Sequence, residues 1–204
     1  MASRTYDSPR RSTAAAETRE AILGAALRLF ETRGYAATGM GEVATEAGVS
    51  LNTVYVSVGK KPQLLIALFR DASEDADIEA TLEAIGAVES PQELIAALAA
   101  GTRVVFERYD WALGALYDNA SASDEISEAL DATETHYRDR VGQAARRLAE
   151  LRPRLEAERT TQILWFYFGF RPWRELRGLG WGWDDIEHWL ADQASNALLG
   201  GGAS

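Results

Sequence analysis

Residues 38–61 hold the densest set of groups suited to a polyanion and to the edges of bases. Asn52 carries an amide that can bond N6 and N7 of adenine together. Leu51 and Val56 are aliphatic and can meet a thymine methyl. Ser50 and Ser57 add hydroxyls, and Lys60 and Lys61 are the only two lysines of the chain. Thr38 is placed to cap the helix that follows it, or to offer its hydroxyl to a phosphate. Catalytic patterns do not accompany these groups. The chain has no Cys, its two histidines (His136 and His188) lack metal-ligand spacing, and it carries no Gly-rich phosphate loop, Gly-x-Ser-x-Gly or GxGxxG. The carboxylate pairs Asp124-Glu125 and Asp184-Asp185 stand at helix starts, where they complement the macrodipole. No enzymatic activity, cofactor or metal is expected.

The elements that must position these groups are two short helices. Met40, Val43, Ala44 and Ala47 fall at i, i+3, i+4 and i+7, which predicts a helix over about 40–47. Gly48 follows where a left-handed residue ends a helix. Ser50 can cap a second helix over about 51–57, accepting from the N–H of residue 52 or 53. Residues 54–58 (VYVSV) alternate and are rich in β-formers, so alone they read as a strand. The shared face of Leu51, Val54 and Val58 and the surrounding context favour helix. Helix, short Gly-containing turn and helix make a helix-turn-helix, whose second helix enters the major groove of DNA.

At these residues the chain resembles the DNA-binding domain of tetracycline-repressor (TetR) type regulators, over residues 18–69. The resemblance rests on Thr18-Arg19, Ile22, Ala25-Ala26 and Leu29-Phe30, then Gly34-Tyr35 and Thr38. It continues through Val43-Ala44, Ala47-Gly48-Val49-Ser50, Thr53-Val54-Tyr55, Lys61 and Leu64-Leu65. Asn52, Val58 and Pro62 depart from the family's usual Gly, Phe and acidic residue. The resemblance implies phosphate contacts from Tyr55 and Lys61, with Lys60 beside them. It implies a DNA-contacting set of Thr38, Ser50, Leu51, Asn52, Thr53, Tyr55, Val56, Ser57, Lys60 and Lys61.

The net charge of −10 looks wrong for a DNA binder until it is divided. Residues 1–61 hold 8 Lys+Arg and 6 Asp+Glu, and residues 62–204 hold 13 and 25. The acid thus lies outside the motif. Residues 1–13, with Arg4, Arg10 and Arg11, read as a flexible tail able to reach DNA. There is no apolar leader and no run approaching a membrane span of about 20 residues, so a cytoplasmic protein without a membrane partner is expected.

The rest of the chain also reads as helical, for about nine helices in all. A first helix spans about 14–33 and a fourth begins after Gly59, with Pro62 in its first turn and its end near Gly86. Others follow over about 90–108, 109–119, 123–151, 155–179 (kinked at Pro172) and 184–198. The expected fold is all-α: an N-terminal three-helix helix-turn-helix domain, residues 1–61, and a C-terminal helical ligand-binding and dimerisation domain, residues 62–204.

Residues 163–170 (ILWFYFGF) are apolar all round, so one face needs a second partner beyond the domain core. With the family likeness of the last two helices, this predicts a homodimer built through them. Phe69, Phe106, Trp111, Tyr117, Tyr137, Trp165, Phe166 and Phe168 either fill a core or line a cavity. The family's way of working implies the cavity, for a small apolar or aromatic effector, with His136, Tyr117 and Gln162 as polar handles. The chain is therefore expected to be a repressor released from a palindromic double-stranded DNA operator by such an effector. The competing expectation is a helical interaction protein whose helix-turn-helix does not bind DNA.

Overall fold

The structure, a computed structural model, describes residues 9–73 and 85–200, with side chains for 13–69 and 85–200. Every regular element among the described residues is a helix, as expected. The chain divides into two compact units, one of Met1–Ser73 with Gly114–Ala129, the other of Glu74–Leu113 with Leu130–Ser204.

The first unit is built on α1 (Pro9–Arg33), α2 (Met40–Glu46), α3 (Leu51–Val58) and α4 (Lys61–Ser73). Helix α1 starts five residues earlier than the apolar period alone predicts, so Arg10 and Arg11 are helical rather than part of a tail. Pro9 suits a first helical position, and the alanines behind it are strong helix formers. Ile22, Ala25, Ala26, Leu29 and Phe30 of α1 are buried with Val43 and Ala44 of α2, Val54 and Val58 of α3, and Leu64, Leu65 and Leu68 of α4. Helix α1 packs on each of the other three. The alternating valines of α3 form a helix because Val54 and Val58, one turn apart, both enter this core. Each such burial is worth about 1.5–3 kcal/mol, more than the weak strand preference it overrides. The continuation of α4 through the acidic stretch falls on residues 74–84, outside those described, and residues 85–87 are helical.

The second unit draws on the part of α5 (Pro91–Asn119) before Gly114, the part of α6 (Asp124–Leu151) from Leu130 onward, α7 (Ala157–Phe168), α8 (Phe170–Gly178) and α9 (Trp183–Leu199). The helices expected over 90–108 and 109–119 are one continuous helix, kinked at Tyr109 (φ −114°, ψ 15°). A single 3₁₀ turn, Ala120–Ala122, leads from it to α6.

The break expected at Pro172 lies three residues earlier. Gly169 is extended, closing α7 and opening α8. Proline clashes with the carbonyl four residues back and gives it no N–H, so the continuous helix must stop near Phe168. Pro172 itself then sits in the first turn of α8, where its missing N–H costs nothing. The orphaned Phe168 carbonyl, buried in the second unit, accepts instead from the Tyr137 hydroxyl at 2.9 Å.

Helix α9 packs on α7 and α8. Ile186, Leu190, Ala194 and Leu198 form its buried stripe, whereas Trp189 and Ala197 face outward. Arg103 of α5 holds the first turn of α9 through Asp184 and through Glu187 at 3.1 Å, with Glu107 as a third carboxylate partner.

Candidate nucleic-acid interface

The turn between α2 and α3 is made by local bonding. Gly48 adopts φ 68°. The Val49 N–H reaches the Ala44 carbonyl at 3.0 Å and the Gly48 N–H the Thr45 carbonyl at 3.2 Å, a Schellman ending that turns the chain sharply. Ser50 then caps α3, its hydroxyl accepting from the Thr53 N–H at 3.0 Å and lying 2.7 Å from the Thr53 hydroxyl. Both features were legible in the sequence.

Helix α3 lies with Val54 and Val58 inward and Leu51, Asn52, Tyr55 and Val56 outward. These four occupy i, i+1, i+4 and i+5, one continuous face. Leu51, 43% exposed, stands open as expected of a groove candidate, although it lies near the helical register of Val54 and Val58. Val56 stands 80% exposed. Thr53 and Ser57 flank the face and are half-buried, and Lys60 is exposed beyond its end.

Two contacts unseen in the sequence brace α3 and the elements around it. Arg19 of α1 donates to the Ser57 carbonyl at 3.3 Å, putting a cation at the negative end of the helix. Lys61 donates to the Ala36 carbonyl at 3.2 Å while its ammonium stands 4.4 Å from the centre of the Tyr35 ring. Burial lowers the Lys61 pKa, and nearby Glu42 offsets part of that. Lys61 therefore clamps the loop before α2 to the start of α4.

Thr38 does not cap α2. The N-cap is Gly39, whose N–H donates to Glu42 at 2.8 Å. Glycine has no side chain to return the bond, so only half of a capping box forms. The Thr38 hydroxyl is buried and turned inward, donating toward the Gly34 carbonyl at 3.0 Å.

In the second unit the aromatic side chains form a cluster. Phe106 meets Tyr137, Phe170 and Trp173 with ring centres 5.3–5.9 Å apart, and Tyr137 meets Trp165 at 5.7 Å. Phe170 and Trp173 went unrecognised as members; their i, i+3 spacing on α8 was the available signal. The Arg138 guanidinium lies 4.6 Å over Trp165. The Tyr137 hydroxyl is 2.8 Å from that of Thr102, and burial pushes its ionisation far above the ordinary range. The Trp173 indole N–H is buried without a hydrogen-bond partner. Trp111 also belongs to this unit and is half-buried, while Phe69 and Tyr117 belong to the first unit. His136 is exposed, Phe166 is 70% exposed, and Gln162 is exposed on α7 and bonds Glu158.

A capped helix with an open outward face, set on a three-helix support by a tight glycine turn, defines a DNA-binding regulator of the helix-turn-helix class. Residues 22–68 match the model of the bacterial regulatory proteins of the tetR family. Residues 22–68 are thus a DNA-binding domain of the kind found in that family. Solved structures share the whole fold. EbrR, a multidrug binding protein solved with imidazole, has a TM-score of 0.64 at 21% identity, covering 97% of each chain. FadR of Bacillus subtilis, solved with stearoyl-CoA, scores 0.66 at 15% identity, covering 86% of this chain and 96% of its own. A protein of Mesorhizobium loti described as a TetR-family regulator scores 0.59 at 22%, covering 91% and 96%. At these identities the likeness is one of fold. No curated protein matches the sequence. No helix among the described residues is long and apolar enough to cross a membrane.

Proposed function

We propose that the protein is a cytoplasmic, ligand-released repressor that binds a near-palindromic operator as a homodimer and performs no catalysis. The observation that carries this reading is the open outward face of α3. The DNA-contacting set is the exposed Leu51, Asn52, Tyr55, Val56 and Lys60, with Ser50, Thr53, Ser57 and Lys61 at its edges. Thr38 supports the fold behind them.

Residues 1–61 carry the DNA contacts and residues 62–204 the effector and the dimer. Dimerisation runs through α7, α8 and α9, where Phe166 is exposed on α7 and Trp189 lines a groove with Trp181, Asp185, His188 and Asp192. A two-fold axis would bury that aromatic surface twice and set two copies of α3 about 34–36 Å apart, or a multiple of it. The effector is a small apolar or aromatic molecule held at the cluster around Phe106, Tyr137 and Trp165. Imidazole on EbrR and stearoyl-CoA on FadR support a ligand role for this kind of domain. Such an effector works only by binding the two arrangements of the dimer unequally.

Selection of bound DNA from a random library tests the operator. A compound screen read by both tryptophan fluorescence and gel shift then tests release. Compounds that bind the second unit and leave operator affinity unchanged would overturn the switch. If the chain were instead an interaction protein without DNA binding, no salt-dependent shift would be seen on any sequence.

A further inference from the structure

The outward face of α3 carries no cation. No Lys or Arg occurs between Arg33 and Lys60. Of the polar side chains on the helix and its cap, Ser50 and Thr53 are bonded to each other and Ser57 is half-buried. What remains on the open face is the Asn52 amide, the Tyr55 hydroxyl at the end of an apolar ring, and the aliphatic Leu51 and Val56.

This composition restricts what the helix can read. Guanine is recognised in the major groove chiefly by Arg or Lys at O6 and N7, and the face has neither. Pressing Leu51 and Val56 against the polar edge of a G·C pair would desolvate donors and acceptors without replacing their water. The one apolar feature of the major groove is the C5-methyl of thymine.

Resting on the DNA-binding reading above, we propose that α3 reads a core of A·T pairs in each half-site through thymine methyl groups, met by Leu51 and Val56. Asn52 makes the single bidentate contact, to adenine. Recognition is then mostly by shape and apolar burial, and the lysines that follow the helix, Lys60 and Lys61, serve phosphates. One consequence is chemical. 5-Methylcytosine carries its methyl at the same place as thymine, so methylation of a cytosine placed in the core adds a contact rather than removing one.

The test uses the full-length protein and the operator it selects from a random duplex library. Each core thymine is replaced by deoxyuridine, which removes the methyl and keeps every hydrogen-bonding group. Affinity is expected to fall about fourfold per contacted methyl, and about fifteenfold when both half-sites lose it, the worth of one buried methyl at each. Val56→Ala, on the surface and outside the core, should lose a similar factor on the thymine operator. It should then be indifferent to uracil at the same step. Cytosine at that position should bind worse than 5-methylcytosine. Equal affinity for thymine and uracil operators would overturn the proposal and leave DNA binding standing. So would a G·C core whose replacement by 7-deazaguanine costs more than uracil does. If no sequence is enriched at all, the DNA-binding reading itself fails.

Discussion

Gln63 ties two helix starts together: its Oε1 accepts from the N–H of Lys60 while its Nε2 donates to Glu125 at 3.1 Å. The first bond caps α4, and the second fixes that cap to the first turn of α6. The turn from α3 comes equally close, since a Cβ on Gly59 would lie 2.7 Å from the same Oε1. Gly59 has φ 80° and ψ −149°, a region essentially reserved for glycine. Gly59→Ala should therefore cost about 1–3 kcal/mol in denaturant unfolding. Gln63→Ala should cost about 0.5–2 kcal/mol as a lost cap and weaken any effector response routed through α4. An unchanged unfolding midpoint in both variants would contradict this account.

At the DNA face, Asn52→Ala should relax preference at one base pair, by about 1–3 kcal/mol if the adenine contact is bidentate. Lys61→Ala should weaken binding to all sequences alike and lower the salt slope by about one. Because Lys61 also holds the Ala36 carbonyl, it should reduce stability slightly as well. Salt-titrated binding to the selected operator and to scrambled DNA distinguishes the two variants.

Tyr137→Phe removes the donor that serves the Phe168 carbonyl freed by the Gly169 break. The cost should be about 1–3 kcal/mol, that of an unsatisfied buried acceptor. Thr102 retains the Leu98 carbonyl at 2.7 Å, so the loss stays local. Thermal unfolding measures it, and a variant as stable as wild type would show the bond to be dispensable.

Glu156 caps α7, accepting from the N–H groups of Arg159 at 2.7 Å and Glu158 at 2.9 Å. These bonds hold its carboxyl below the usual carboxylate range. A depressed folded pKa means the contribution is full above the unfolded value and is lost as pH falls through the folded one. Glu156→Ala should therefore be less stable than wild type at neutral pH, with the gap closing in acid below about pH 4. A gap independent of pH would show that the carboxylate charge plays no part.

Trp189, 42% exposed on α9, lies on the face proposed for the dimer. Trp189→Glu should yield monomers by sedimentation at micromolar concentration, with loss of operator binding. Wild-type protein that sediments as a monomer under the same conditions would refute the dimer.

What the sequence determined by itself is local. The all-α class, the α2–turn–α3 unit, the Ser50 cap and the left-handed Gly48 all follow from residues within about one turn of each other. Periodicity, capping and glycine conformation act over that range. Tertiary structure decided the rest. Sequence position suited Thr38 to capping, but the hydroxyl found carbonyls of the preceding helix and loop. The Gln63–Glu125 bond spans 62 residues, the Arg19–Ser57 bond 38, and the Tyr137–Thr102 and Tyr137–Phe168 contacts 35 and 31. Such polar contacts leave no period in the sequence. They form where helix packing brings a donor to a carbonyl or carboxylate that burial would otherwise leave without water.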